Sequence, residues 1–358
     1  MSRRSTGRWA RAVTRLSDYT TFGIGGEAKN FIVATTEQEI IDAVVAADDR
    51  SARVLILSGG SNMLVGDAGF DGTVVKVATK GIETHVSASG RAIVTVAAGE
   101  VWDEFVALSV TNGWLGIEAL SGIPGLVGAA PVQNIGAYGQ EVGDTVSQVR
   151  ALDRVTRNIV TFTNQACGFG YRTSEFKRSV QPGQASGRYV VLQVGFEFAP
   201  GTLASPVAYA ELAAYLGVRL GDRVDASRVR EAVLAIRASK SMVYSPDDID
   251  SHSAGSFFTN PYVSAEAAAT LPADAPRFGQ PDGTVKTSAA WLIDHAGFGK
   301  GFSIPESSGR AALSSKHVLA LTNRGGATAT EVLALADAIR AGVQAQFGID
   351  LVPEPVLV

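Results

Sequence analysis

The stretch that most restricts what this chain can become is residues 120–144, LSGIPGLVGAAPVQNIGAYGQEVGD. Glycines, other small residues and single polar groups interleave there over a length too great for one turn, which reads as extended backbone laid along a ligand. Gly125, Gly128 and Ala129 permit close approach of the main chain. Gln133, Asn134 and Tyr138 are the groups able to hydrogen-bond a ring edge or a ribose, with Ile123, Pro124, Gly136 and Ala137 beside them. A second glycine loop, SGGSN, comprises Ser58, Gly59, Gly60, Ser61 and Asn62 and follows a buried-strand signal at residues 53–57 (RVLIL). Its backbone N–H groups and small hydroxyls suit a diphosphate, although a ligand-free tight turn is an equal reading of this loop taken by itself.

The chain has 358 residues, 46% hydrophobic and 18% charged, enough for a large core divided over two or three domains. A net charge of -4 supplies no basic field for nucleic acid. The lone Cys167 can form no internal disulfide or cysteine-rich metal site and reads as a small buried hydrophobe. His85, His252, His295 and His317 lie far apart without ligand spacing, so no metal is expected. Nothing resembles the roughly 20 apolar residues of a membrane span. Residues 1–16 carry five arginines and no acid, with no apolar run after them, and read as a basic tail rather than a secretory leader. GIGGEA at residues 23–28 formally matches a dinucleotide fingerprint, but TTF before it is no buried strand and no βαβ unit follows.

Periodicity predicts helices over residues 37–47 and 102–112 and strands over 72–77, 92–97, 148–153, 159–162 and 189–198. The pattern loosens at 200–206, where a domain boundary is expected. Helices return at 208–216 and at 228–239, the latter capped near Asp225 or Ser227. Strand signals follow at 256–258 and 318–322, with helices at 289–296 and 330–347, the last capped by Thr328 or Thr330. The class is α+β.

Three polar clusters stand out. GYRTSEFK, residues 170–177, offers Arg172, whose planar fork suits a carboxylate or an enolate, whereas Lys177 is only a point charge. The plain alternative is a surface ion pair between Arg172 and Glu175. SAGSFFTNP, residues 253–261, sets the Ser256 hydroxyl beside two aromatics. LVPEPVLV ends the chain with Glu354 as the single acid of an apolar run, a carboxylate that must be paired or functional.

In this order, SGGSN, IPGLVGAAPVQNIGAYG, GYRTSEFK, AGSFFTNP, WLID and the terminal PEP resemble the UDP-N-acetylenolpyruvoylglucosamine reductases, from about Leu16 to the C terminus. The resemblance implies a two-lobed FAD-binding domain of the PCMH type, like vanillyl-alcohol oxidases, over residues 17–200, with lobes at about 17–75 and 76–200. A smaller α+β substrate-binding domain is implied over 201–345, and residues 346–358 return to the active site. It implies FAD on the two glycine segments, NADPH as co-substrate and a UDP-sugar whose enolpyruvyl ether is reduced to UDP-N-acetylmuramate in peptidoglycan synthesis. A monomer in the cytoplasm is the corresponding expectation. Ser256 corresponds to the family's proton donor, assisted by Arg172 and Glu354. Substrate contacts carry over to Tyr171, Tyr209, Lys240, Asn260 and Lys286, with Tyr209 pointing to the subgroup whose tyrosine-bearing loop folds over the UDP diphosphate. The rivals are a flavin oxidase of the same fold, against which stands the lack of histidine in either FAD loop, and a non-catalytic flavin-binding protein, against which stand Arg172, Ser256 and Glu354.

Overall fold

The computed structural model describes residues 14–358. Most of the basic stretch lies outside the described residues, but its last part does not. Leu16 is fully buried, its N–H donates to the Gly26 carbonyl, and the Ala28 N–H donates to the Thr14 carbonyl. Thr14 to Leu16 are therefore part of the fold rather than of a tail.

The first layer is a parallel three-stranded sheet with Phe70–Val77 in the centre, flanked by Ala28–Ala34 and Val54–Leu57. Helix Glu37–Asp49 crosses over between the flanking strands and buries Ile40, Val44 and Ala47. A reciprocal capping box between Thr36 and Glu39 starts it, satisfying N–H groups that the first turn leaves without partners. The strand near GIGGEA comes after those glycines, not before them, which removes the geometry of a dinucleotide fingerprint.

The second layer is antiparallel, ordered Ile159–Thr163, Val146–Asp153, Tyr189–Pro200, Ala92–Ala97, Ile82–Val86. Helix Trp102–Thr111 covers it through Trp102, Phe105 and Val106. Its aromatic rings meet Phe196, with Phe105 and Phe196 centroids 4.9 Å apart. Ile40, Val44 and Val75 from the first layer share one core with Val94, Phe105 and Phe196 from the second. Burial on both sides fixes the two layers against each other.

Beyond Pro200 the chain forms a small helical core from Ala210–Leu216 and Ala226–Ser239, holding Leu212, Val229, Val233 and Ile236. Asp225 caps the longer helix by accepting from the Ser227 N–H. The last core gathers the hairpin Ala311–Leu313 with Leu321–Asn323, helix Ala289–His295 and helix Ala329–Phe347. Thr328 and Glu331 form the capping box of that final helix, and Asp67 from the first layer accepts from its Ala329 and Thr330 N–H groups at 2.7 and 3.1 Å. The strand expected at 256–258 is absent. Those residues bond singly to two other segments: the Phe257 N–H donates to Leu319 and the Thr259 N–H to Val352.

The chain end is the element that completes the site. Val356–Leu357 pairs in parallel with Met63–Leu64, and the Val356 N–H donates to the Asn62 carbonyl at 3.0 Å. Two residues earlier, the Glu354 N–H donates to the Phe257 carbonyl at 2.8 Å. Glu354 is thus clamped between the SGGSN loop and the AGSFF segment.

Candidate active site

A cavity of about 360 Å³ opens between the SGGSN loop and residues 123–136, a size within the range of small-molecule sites. The loop leaves the Val54–Leu57 strand, and Lys76 on the adjoining strand supports it by donating to the Ser58 carbonyl. Burial pulls the Lys76 ammonium below its ordinary value. Gly59 meets the other glycine segment directly: a Cβ there would stand 2.6 Å from Gly125 Cα. Gly60 has φ +63°, and its Cβ would overlap the Tyr19 carbonyl at 1.8 Å. The Ser61 hydroxyl closes the joint by donating to the Pro124 carbonyl at 2.9 Å. These glycines bring main chain against main chain, a role beyond the ligand approach that the sequence suggests; Gly128 likewise packs on Ala98.

All five SGGSN residues line the cavity, as do Ile123, Pro124, Gly125, Gly128, Ala129 and Gly136. Asn134, Ala137 and Tyr138 do not. Asn134 is buried, and its amide serves the protein: it donates to Glu141 at 2.7 Å and to the Gly170 carbonyl at 2.9 Å, and accepts from the Gly143 N–H at 3.0 Å. Its part is to shape the loop. Tyr138 turns towards the helical region, where its ring meets Tyr209 edge-on at 5.6 Å, and burial pushes its phenol up to about 12.

Arg172, Ser256 and Glu354 come from three distant segments and line this one cavity. Arg172 Nε lies 3.1 Å from Glu354 Oε1, and the Gln133 amide donates to the same oxygen at 3.1 Å. The surface pair with Glu175 does not form; Glu175 faces Arg178 instead. Further donors of Arg172 reach the Gly136 carbonyl at 2.7 Å and the Asn134 carbonyl at 3.4 Å. A guanidinium has five N–H groups, so about two stay free for a ligand. Lys177 also lines the cavity, donates to the Arg172 carbonyl at 3.0 Å, and is lowered in pKa by burial, against the opposing pull of Glu354.

The residues expected at the substrate form two groups. In one, the Lys286 ammonium sits over the Tyr171 ring at 4.7 Å from its centroid, and the Asn260 N–H donates to the Tyr171 hydroxyl at 3.4 Å. Burial raises the Tyr171 phenol above its ordinary range. In the other, Tyr209 packs on Tyr138, while Lys240 pairs with Glu211 at 2.6 Å. None of these five expected residues lines the cavity, whereas Arg237, Ser241 and Tyr244, which sequence reasoning passed over, do. Arg237 Nε is buried without a partner, and its other end donates to the Met242 carbonyl at 2.8 Å. Burial lowers its pKa, yet a guanidinium stays charged. Its signal was present in RASK, where Arg237 and Lys240 stand three residues apart at the end of one helix.

A glycine loop behind a parallel strand, locked to a second glycine segment beside an apolar cleft, defines the class of protein that holds a nucleotide cofactor against its main chain. Residues 28–160 match the family model of an FAD binding domain, and residues 247–358 match that of the UDP-N-acetylenolpyruvoylglucosamine reductase C-terminal domain. A UDP-N-acetylenolpyruvoylglucosamine reductase of Cutibacterium acnes is 55% identical over 96% of this chain and 89% of its own length. One from Salinispora arenicola is 49% identical over 97% and 95%. The crystal structure of the corresponding enzyme from Thermus caldophilus superposes with a TM-score of 0.61 at 25% identity, covering 96% of this chain and 98% of that one. The chain belongs to the UDP-N-acetylenolpyruvoylglucosamine reductase family.

FAD fits the cavity on the terms of these residues. The Ser58 hydroxyl is buried in the loop with no protein partner, and Ile56, Val77, Ile123 and Leu126 give the cleft apolar walls.

Proposed function

We propose that this chain reduces the enolpyruvyl ether of a UDP-sugar to UDP-N-acetylmuramate, with NADPH as the electron source, in peptidoglycan synthesis. The observation that carries this reading is the convergence of Arg172, Ser256 and Glu354 on the cavity formed by the two glycine segments. FAD, which the SGGSN loop and residues 123–129 would hold, would supply the chemistry these side chains lack, the transfer of hydride from NADPH to the terminal carbon of the enolpyruvyl double bond.

Negative charge then develops at the carbon beside the substrate carboxylate. Arg172, held by Glu354 and two backbone carbonyls, presents its remaining N–H groups to that carboxylate as it gains enolate character. This is preorganised electrostatic stabilisation, with no reorientation needed during the reaction. Glu354 is itself fixed by Gln133 and by the Phe257 carbonyl, so the pair has little freedom to drift. Ser256 gives its hydroxyl proton to the carbanion carbon. A serine suits that task because the acceptor is strongly basic; against a weaker base its pKa would be mismatched. Lys240 and Tyr209 receive the diphosphate, and Tyr171, Asn260 and Lys286 form the second contact group.

Stopped-flow absorbance on the purified protein tests this. Anaerobic reduction of the flavin band by NADPH, followed by rapid reoxidation on adding UDP-N-acetylenolpyruvoylglucosamine, is the expected course. Reoxidation by oxygen alone would make the protein an oxidase, and a protein that takes up no flavin would defeat the reading.

A further inference from the structure

Lys240, the residue given to the substrate's diphosphate above, already holds an anion belonging to the protein. Its ammonium lies 2.6 Å from Glu211 Oε1 and 2.7 Å from Glu211 Oε2. Glu211 stands in the first turn of the Ala210–Leu216 helix, two positions after Tyr209. The same loop is seated on the cofactor segment: Tyr209 meets Tyr138 edge-on, and Ala208 lies so close to Gly139 that a Cβ there would be 2.9 Å from its methyl. Glu211 therefore ties the tyrosine-bearing loop to the lysine on which the ligand is to land.

The surroundings make that carboxylate a stand-in rather than a structural anchor. Arg237 lies on the helix that Lys240 terminates and keeps a buried Nε without a partner. Lys300 is a further cation whose field reaches His317 together with that of Lys240. Arg237 and Lys240, three residues apart at this helix end, make a corner that favours an anion bearing more than one charge over a single carboxylate. The Glu211 and Lys240 side chains are 40% and 31% exposed, so water screens the pair and its exchange for another anion is inexpensive.

We infer that Glu211 is a positioning residue that occupies Lys240 in the unliganded protein, holds the Tyr209 loop over the diphosphate subsite, and is displaced by the incoming diphosphate. The inference rests on the substrate reading given above. Its consequence is a built-in competitor: affinity for diphosphates is lower than the corner alone would provide, and part of the binding energy goes into releasing Glu211.

Calorimetric titration of the flavin-loaded protein with inorganic pyrophosphate, UDP and uridine tests it. Glu211→Gln removes the charge while keeping the shape, and is expected to bind pyrophosphate and UDP about three- to tenfold tighter, the scale of a screened ion pair plus relief of like-charge repulsion. Uridine, which has no phosphate, is expected to bind equally to both proteins. Glu211→Asp, which keeps the charge on a shorter arm, gives a smaller gain. On a Lys240→Met background the Glu211→Gln gain disappears. Unchanged or weaker UDP binding by Glu211→Gln alongside measurable wild-type binding overturns the inference, as does a gain that extends to uridine or persists without Lys240. Tighter pyrophosphate binding with no UDP binding to either protein keeps Glu211 as the displaced anion and removes the UDP-sugar from the site. Failure of the wild type and the variant to bind either anion overturns it.

Discussion

Arg172 Nε and Glu354 Oε1 lie 3.1 Å apart, an ion pair joining the tight turn between Gly170 and Thr173 to the end of the chain. Each partner is held in place by a different part of the chain. The chain end reaches the site because Val356–Leu357 pairs beside Met63–Leu64, and the guanidinium is aimed by the carbonyls of Asn134 and Gly136. The pair is mostly shielded from water, which strengthens it and raises the penalty of leaving one member alone.

Glu354→Gln neutralises the acid and leaves Arg172 without its counter-charge. Reduction of the sugar nucleotide is expected to fall by about 10²- to 10³-fold, the scale for losing one preorganised electrostatic contact. Flavin reduction by NADPH is expected to stay within a few-fold of wild type. Rapid-mixing measurement of the two half-reactions separately decides it, and a parallel fall in both would remove Glu354 from the substrate step.

Ser256→Ala makes a sharper separation. In the proposed reaction the hydroxyl carries the proton and takes no part in flavin reduction, so NADPH oxidation is expected to survive while product formation drops by about 10²- to 10⁴-fold, the usual contribution of a positioned acid. Equal loss of both half-reactions would end the proton-donor role.

Much of this architecture can be read from local sequence because local chemistry enforces it. Thr328 with Glu331 and Asp225 with the Ser227 N–H define helix starts from a few adjacent residues. The strand Ala92–Ala97 reads clearly because its apolar positions face one shared core. Ala28–Ala34 escapes notice because it is an edge strand in which only Ala34 is buried, so no strong alternation marks it. The AGSFF segment misleads in the opposite sense: its aromatics suggest a strand, but its backbone is divided between Leu319 on one side and Val352 and Glu354 on the other. In the site, the motif strings name Arg172, Ser256 and Glu354, but no spacing announces that Gln133 and Arg172 share one oxygen of Glu354. Asn134 and Tyr138 are polar groups in a cofactor-lining segment, and only tertiary packing shows that one serves the loop and the other the Tyr209 contact.

Gly59→Ala tests the joint between the glycine segments. The added methyl would meet Gly125 Cα at 2.6 Å, main chain that cannot rotate away as a side chain could. Overpacking of this kind costs about 1–3 kcal/mol. A lower melting temperature together with faster loss of flavin on gel filtration is expected. Ser61→Ala, which removes only the bond to the Pro124 carbonyl, should lose about 1 kcal/mol. Wild-type stability and flavin retention in the Gly59→Ala variant would show that the two loops separate readily.

His317 gives the stability of the fold a pH dependence of definite sign. Burial pushes its imidazole down to about 4, and the Lys240 charge acts in the same direction, against Glu211. In the unfolded chain the ring protonates near its ordinary 6.5, whereas in the folded protein it stays neutral until about 4. Between those values the unfolded state binds more protons, so this contribution is fully present above about 6.5 and is lost as the pH falls towards 4. Lowering the pH from 7 to 5 should therefore remove roughly 1–2 kcal/mol of stability through this residue. His317→Gln cannot take up the proton, so the difference between its urea midpoints at the two pH values should be smaller than that of wild type. An identical pH response in the two proteins would mean that the His317 ring is solvated and titrates as it does in the unfolded chain.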